Sequence, residues 1–95
     1  MRRLFSVEEK ENFTVVSFTF DEFLSPDFLK KLVPPKVDFR KGVILSGRGP
    51  IWFYGYLIHF YHPSKFIAAY DPRLGGAVVV ESHCDEHEVG DLIKV

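Results

Sequence analysis

The stretch GVILSGRGPIWFYGYLIHFYHPSKFIAAYD, residues 42 to 71, decides the fold. Gly42 to Leu45 is a short apolar run of strand type. Ser46-Gly47-Arg48-Gly49 is a glycine turn. Pro50 opens a helix that runs to about His62, and Pro63 stops it. Phe66 to Tyr70 is a second strand. A unit of strand, glycine turn, helix and strand makes a right-handed crossover between parallel strands.

Working outward, Asp71-Pro72-Arg73-Leu74-Gly75-Gly76 is a turn tight enough to send the strand Ala77 to Ser82 back antiparallel. The tail from His83 is acidic and ends in a candidate short strand at Leu92 to Val95. Upstream, Arg2 to Val7 and Phe13 to Phe20 read as strands paired in a hairpin across the polar turn Glu8 to Asn12. Ser25-Pro26-Asp27 is a helix start with an N-cap hydroxyl, a proline at the first helical position and an acid at the positive dipole end. That helix stops before Pro34-Pro35. No internal repeat or low-complexity segment is evident. The expectation is α+β: a single domain over residues 1–95, with a mixed β-sheet and two main helices, in the ferredoxin-like or small Rossmann-like range.

A chain of 95 residues supports one modest core, so oligomerisation is an early expectation. Aromatics make up 16% of it, more than such a core easily buries, which points to an interface. A net charge of -1 disfavours a long phosphate backbone as partner, while leaving room for a small anion on a local basic patch. Cys84 is the sole cysteine, which excludes an internal disulfide and a four-cysteine zinc site. The apolar stretch after Met1-Arg2-Arg3 is soon ended by acids and does not read as a signal peptide. No run is long and apolar enough to span a membrane, so the expected compartment is the cytoplasm.

Three groups of residues have chemistry to offer. In Ser46-Gly47-Arg48-Gly49-Pro50 the glycines let backbone approach a ligand, the helix start aims N–H groups at an anion, and Arg48 adds a phosphate contact. The plain alternative is an ordinary strand-to-helix turn. In Asp71-Pro72-Arg73 an acid and a base flank a proline just past a strand; the alternative is a turn capped by Asp71 with a solvated arginine. The third group is His59, His62, His83, Asp85, Glu86 and His87. His59 and His62 are spaced to share a helix face. Imidazole with carboxylate is a common ligand mix for zinc or manganese. His62 and His83 are the central pair, with Glu86 as accompanying carboxylate; Asp85 and His87 read more simply as a solvated turn. Cys84 reads as a packed cysteine, and Trp52 as core or interface.

Strand direction separates these groups. The glycine turn and the Asp71 turn both follow parallel strands, so both lie at the carboxyl ends, the usual ligand edge of an open sheet. The helix between them runs back by roughly 18 Å, so His62 sits at the opposite edge. The returning strand Ala77 to Ser82 delivers His83 there too. One subunit then carries an anion edge and a histidine edge that cannot meet, and a complete site is expected between subunits stacked end to end.

Arg40-Lys41-Gly42-Val43-Ile44-Leu45-Ser46-Gly47-Arg48-Gly49-Pro50-Ile51-Trp52 resembles the central signature of the Csx-three family, small proteins associated with type III CRISPR systems. So do Tyr61-His62, Ala69-Tyr70-Asp71-Pro72-Arg73-Leu74-Gly75, Ala77-Val78-Val79-Val80-Glu81-Ser82-His83 and Gly90-Asp91. The resemblance covers Lys36 to about Asp91. It implies a ferredoxin-like fold and a ring nuclease that cleaves cyclic tetra-adenylate, the second messenger of type III CRISPR defence. It further implies manganese dependence and homodimers that stack into a tetramer or higher around the ligand. By position, His62, Asp71 and Arg73 match catalytic residues, His83 matches a metal-site residue, and Ser46, Gly47, Arg48 and Gly49 match a ligand-facing loop. Pro63 stands where members of the family carry a second histidine. Two other readings use the same residues: a manganese-dependent exonuclease trimming RNA 3′ ends, and a module that binds the cyclic nucleotide without cleaving it.

Overall fold

Val and Phe lead the apolar residues of the segments that form strands, and the burial of alternate residues in β-structure follows from the pleat. The structure is a computed structural model that describes residues 4–20 and 25–95. Its strands are β1 (Phe5–Glu9), β2 (Phe13–Phe18), β3 (Gly42–Gly47), β4 (Phe66–Asp71), β5 (Gly76–Ser82) and β6 (Leu92–Lys94). A 3-10 helix, Pro26–Lys31, lies between β2 and β3, and the α-helix α1, Ile51–Phe60, between β3 and β4. The expected first strand was to begin at Arg2, outside the described residues; within them, β1 runs on to Glu9 and the turn shrinks to 10–12.

All six strands form one sheet in sequence order, β1-β2-β3-β4-β5-β6. The β1–β2 pair is antiparallel, β2–β3 and β3–β4 are parallel, and β4–β5 and β5–β6 are antiparallel. The mixed sheet, the parallel crossover and the antiparallel return of β5 match the expectation. The ferredoxin-like order does not. That arrangement splits its βαβ units by inserting another strand between the parallel pair. Here β3 and β4 are direct neighbours, as are β2 and β3.

Two successive crossovers that step the same way across a sheet put both helices on one face, given the right-handed rule. The core agrees: Val16, Phe18, Val43, Leu45 and Ile67 of the sheet bury against Phe53 and Leu57 of α1 and Tyr61 just beyond it, with Phe28 and Leu29 of the 3-10 helix packed on the same cluster. Each such large side chain contributes roughly 1.5–3 kcal/mol of burial. On the other face Ile44, Ala68, Ala77 and Val79 form a smaller cluster, flanked by half-buried Phe13, Val15, Tyr70 and Ile93. No helix of the described residues covers that face, and a cleft of about 600 Å³ lies over it.

Both helices are shorter than expected. The first is six residues of 3-10 helix, and Ser25 caps it without its hydroxyl; the Ser25 carbonyl accepts from Phe28 N–H at 3.0 Å instead. The extended Leu32 ends it ahead of Pro34-Pro35. Pro50 is the N-cap of α1, its carbonyl accepting from Phe53 and Tyr54 N–H. The last α1 residue is Phe60, so His62 sits in the turn beyond it, held by a bond from its N–H to the His59 carbonyl at 3.2 Å.

Candidate functional site

At the carboxyl ends of β3 and β4 the backbone splays to form a cleft of about 770 Å³. Ser46, Gly47, Arg48 and Gly49 line one wall and Asp71, Pro72 and Arg73 the other, with Ile51 and Tyr54 of α1 between them. All four residues of the glycine turn and both charged residues of the Asp71 turn thus meet as expected. Gly47 is required by close approach: a Cβ there would lie 2.5 Å from the Phe18 carbonyl oxygen. The Tyr54 hydroxyl donates to the Gly47 carbonyl at 2.6 Å and pins the turn to the helix.

Asp71 has a definite task here. Its Oδ1 accepts from the Arg73 backbone N–H at 2.9 Å, which shapes the turn. Its two oxygens also accept from the Arg73 Nε and Nη2 at 3.4 and 3.3 Å. Hydrogen bonds from the Arg73 side chain and backbone hold the Asp71 carboxyl below its ordinary range. The Arg73 side chain is 88% exposed, so the pair presents a guanidinium to the cleft mouth with its direction fixed. Orienting Arg73, not binding a metal, is what these contacts equip Asp71 to do.

At the other edge three residues converge: His62, Glu81 and His83, whose candidate ligand atoms lie within 4.8 Å of one another. His62 Nδ1–H donates to Glu81 Oε2 at 3.0 Å, and His83 Nε2–H donates to the same oxygen at 2.7 Å. These bonds, His62 first, lower the Glu81 pKa from its ordinary value.

A β-bulge makes this possible. Ile67 pairs with Glu81 while Ala68 pairs with Val79, so Val80 is an extra residue on β5. With Val80 paired in plain register, Glu81 would follow Val79 onto the helix-free face. The bulge turns Glu81, and His83 two residues on, toward the face where α1 ends at His62. The pairing of His62 with His83 was expected from the sequence. The carboxylate was not: Glu86 lies outside this group and pairs with Lys65 Nζ at 3.5 Å. Glu81 takes its place, and only the extra Val80, invisible as a spacing signal in an apolar run, reveals why. His59 is exposed on α1 and not part of the group. His87 packs at a tilt against Phe66 with ring centroids 4.5 Å apart, a packing role, and Cys84 is held by Ser82.

The two centres lie at opposite ends of α1, whose ten residues span roughly 15 Å. The helix-face sheet rows connect them without bringing them together.

The family model for "CRISPR-associated protein (Cas_csx3)" matches residues 17–94. A protein of Aquifex aeolicus (strain VF5), described as uncharacterized, is 54% identical over 85 residues, which cover 85% of this chain and 77% of that protein. The match contains β3, the glycine turn, α1, the Asp71 turn and all three members of the histidine group. The chain belongs to the Cas_csx3 family of CRISPR-associated proteins.

Proposed function

We propose that this protein is a ring nuclease that cleaves phosphodiester bonds of cyclic tetra-adenylate, at a composite site formed where the anion edge of one subunit meets the histidine edge of the next. The observation that carries this reading is the two-ended layout: Arg48, Asp71 and Arg73 at one end of α1, and His62, Glu81 and His83 at the other. Phosphoryl chemistry needs both a cationic clamp and a proton carrier at one phosphate. The anion edge has no imidazole among its lining residues, and the histidine edge has none of Arg48, Asp71 and Arg73.

In this site Arg48 and Arg73 bind the phosphates and offset charge that builds on the non-bridging oxygens. Asp71 holds the Arg73 guanidinium in position. Glu81 fixes the His62 ring by accepting at Nδ1, which leaves Nε2 to take or give a proton at the reacting oxygen. His83, on the same carboxylate oxygen, completes the orientation. The resemblance also implies manganese. Two imidazole nitrogens and a carboxylate oxygen this close together are a donor set that suits manganese or zinc. His62, Glu81 and His83 would hold the ion, which supplies Lewis-acid polarisation of a phosphate or a more acidic water.

The half-buried Phe13, Val15, Tyr70 and Ile93 on the helix-free face support a paired subunit on that side, which would make the working unit a dimer that stacks. The test is incubation with cyclic tri-, tetra- and hexa-adenylate and with oligo(A) RNA, with and without manganese. Preferential turnover of the tetra-adenylate, with a rate that rises more than linearly with protein concentration, is expected. Faster trimming of oligo(A) would replace this reading with an exonuclease, and binding without product would replace it with a sensor.

A further inference from the structure

The Asp71 turn has a counterpart in the chain. Asp38-Phe39-Arg40-Lys41-Gly42 repeats the pattern of Asp71-Pro72-Arg73-Leu74-Gly75: acid, spacer, arginine, spacer, glycine. The five residues are too few to be a structural repeat, yet the bonds around acid and arginine agree; the turns part at the glycine, where Gly75 N–H returns to the Asp71 carbonyl and Gly42 N–H donates to the Asn12 carbonyl. Asp38 Oδ1 accepts from the Arg40 backbone N–H at 2.9 Å, as Asp71 does from Arg73. The Asp38 carbonyl accepts from Lys41 N–H at 3.0 Å, as Asp71 does from Leu74. Arg40 Nε and Nη2 donate to Asp38 Oδ1 and Oδ2 at 3.0 and 3.1 Å. The exposures correspond as well: 90% and 25% for the Arg40 and Asp38 side chains, 88% and 26% for Arg73 and Asp71.

The location differs. Arg40 precedes β3, so it lies at the histidine edge. A run of backbone bonds ties it there: Lys65 N–H donates to the Phe39 and Lys41 carbonyls at 3.1 and 3.2 Å, and His83 N–H donates to the Lys65 carbonyl at 2.9 Å. The loop of Arg40 and the backbone of His83 are therefore two strand spacings apart, about 10 Å, within range of an extended arginine on one side and a shared dinucleotide on the other.

We propose that Arg40 is a phosphate-binding residue of the histidine edge, presented by Asp38 as Arg73 is by Asp71, so that a phosphodiester ligand is gripped by a clamped guanidinium from each of its two sides. Stability does not account for the pair. The turn needs the Asp38 carboxylate and the Arg40 backbone, and an exposed ion pair contributes little. The neighbouring lysines are engaged: Lys41 Nζ binds Glu9 and the Lys10 carbonyl at 2.9 and 2.7 Å, and Lys65 binds Glu86. Arg40 uses two of its N–H groups on Asp38. The outward donors, which have no partner among the described residues, are held in a fixed fork.

This inference rests on the ring-nuclease reading for the identity of the ligand, and a two-part experiment separates the two. The first part compares Arg40→Gln and Arg40→Lys with the wild-type protein on cyclic tetra-adenylate. Arg40→Gln should raise KM about tenfold, with the loss on KM rather than kcat, and flatten the salt dependence of log KM by about 0.7, one phosphate's worth. Arg40→Lys should recover part of the affinity. Unchanged KM and salt slope would overturn the proposal while leaving the nuclease reading in place. The second part needs no turnover. Adenylyl-(3′→5′)-adenosine is titrated into the isotope-labelled wild-type protein while the Arg40 Nε–H resonance is followed. A saturable shift that persists in a protein without nuclease activity keeps the phosphate site and removes the nuclease reading. Shifts at Arg48 and Arg73 with none at Arg40 would sink the site directly.

Discussion

At the residue scale, the proposed function depends on how carboxylates hold cations and imidazoles in place. Asp71 has a folded pKa below its ordinary value of 3.8, chiefly through the Arg73 side chain. The sign follows: the clamp is fully present above the unfolded value and is lost as pH falls through the lower, folded one. Arg73 presentation therefore should not titrate near neutrality. Carbon NMR of the Asp71 carboxyl should give a midpoint below 3.8, and Arg73→Gln should raise it toward that value. A midpoint above 3.8 would contradict the clamp. Tyr61 illustrates the same dependence in the core. It is fully buried and donates to the Pro35 carbonyl at 2.6 Å. Tyr61→Phe should cost about 1–3 kcal/mol in urea unfolding, since the carbonyl loses its partner. The arginines, Asp71 and the central histidines were legible from the sequence because turn chemistry and strand direction announce them. Glu81 was not, since a single acid inside an apolar strand has no face until the bulge assigns one.

At the element scale, β5 matters most. Deleting Val80 should restore plain antiparallel register while leaving Glu81 opposite Ile67 on the helix side. The variant is expected to melt cooperatively and to keep nuclease activity well above that of His62→Ala, since Val80 serves only to set the face of Glu81. Activity lost to the level of His62→Ala would mean that the bulge does more than set the face of Glu81. In the glycine turn, Gly47→Ala meets a backbone carbonyl, which cannot step aside as a side chain can. A destabilisation of about 1–3 kcal/mol by denaturant titration is expected, with weaker ligand binding. Strand number, parallel pairing and the central crossover could be read from the sequence, because strand–turn–helix–strand admits few topologies. The ferredoxin-like order failed because element sequence alone does not say whether another strand enters between a parallel pair. The end of α1 was placed two residues late because the turn at 61–63 continues helical bonding without helical geometry, and Pro63 marks the end of that turn.

At the scale of the whole molecule, the central claim is that one chain holds two half-sites and activity arises between chains. Complementation tests it most directly. His62→Ala retains an intact anion edge and Arg73→Gln an intact histidine edge, and each alone should be inactive on cyclic tetra-adenylate. In an equimolar mixture, random stacking joins the two intact edges at roughly a quarter of the interfaces. The account predicts that mixing restores about that fraction of the wild-type rate, whereas a mixture no more active than the two variants measured separately would contradict it.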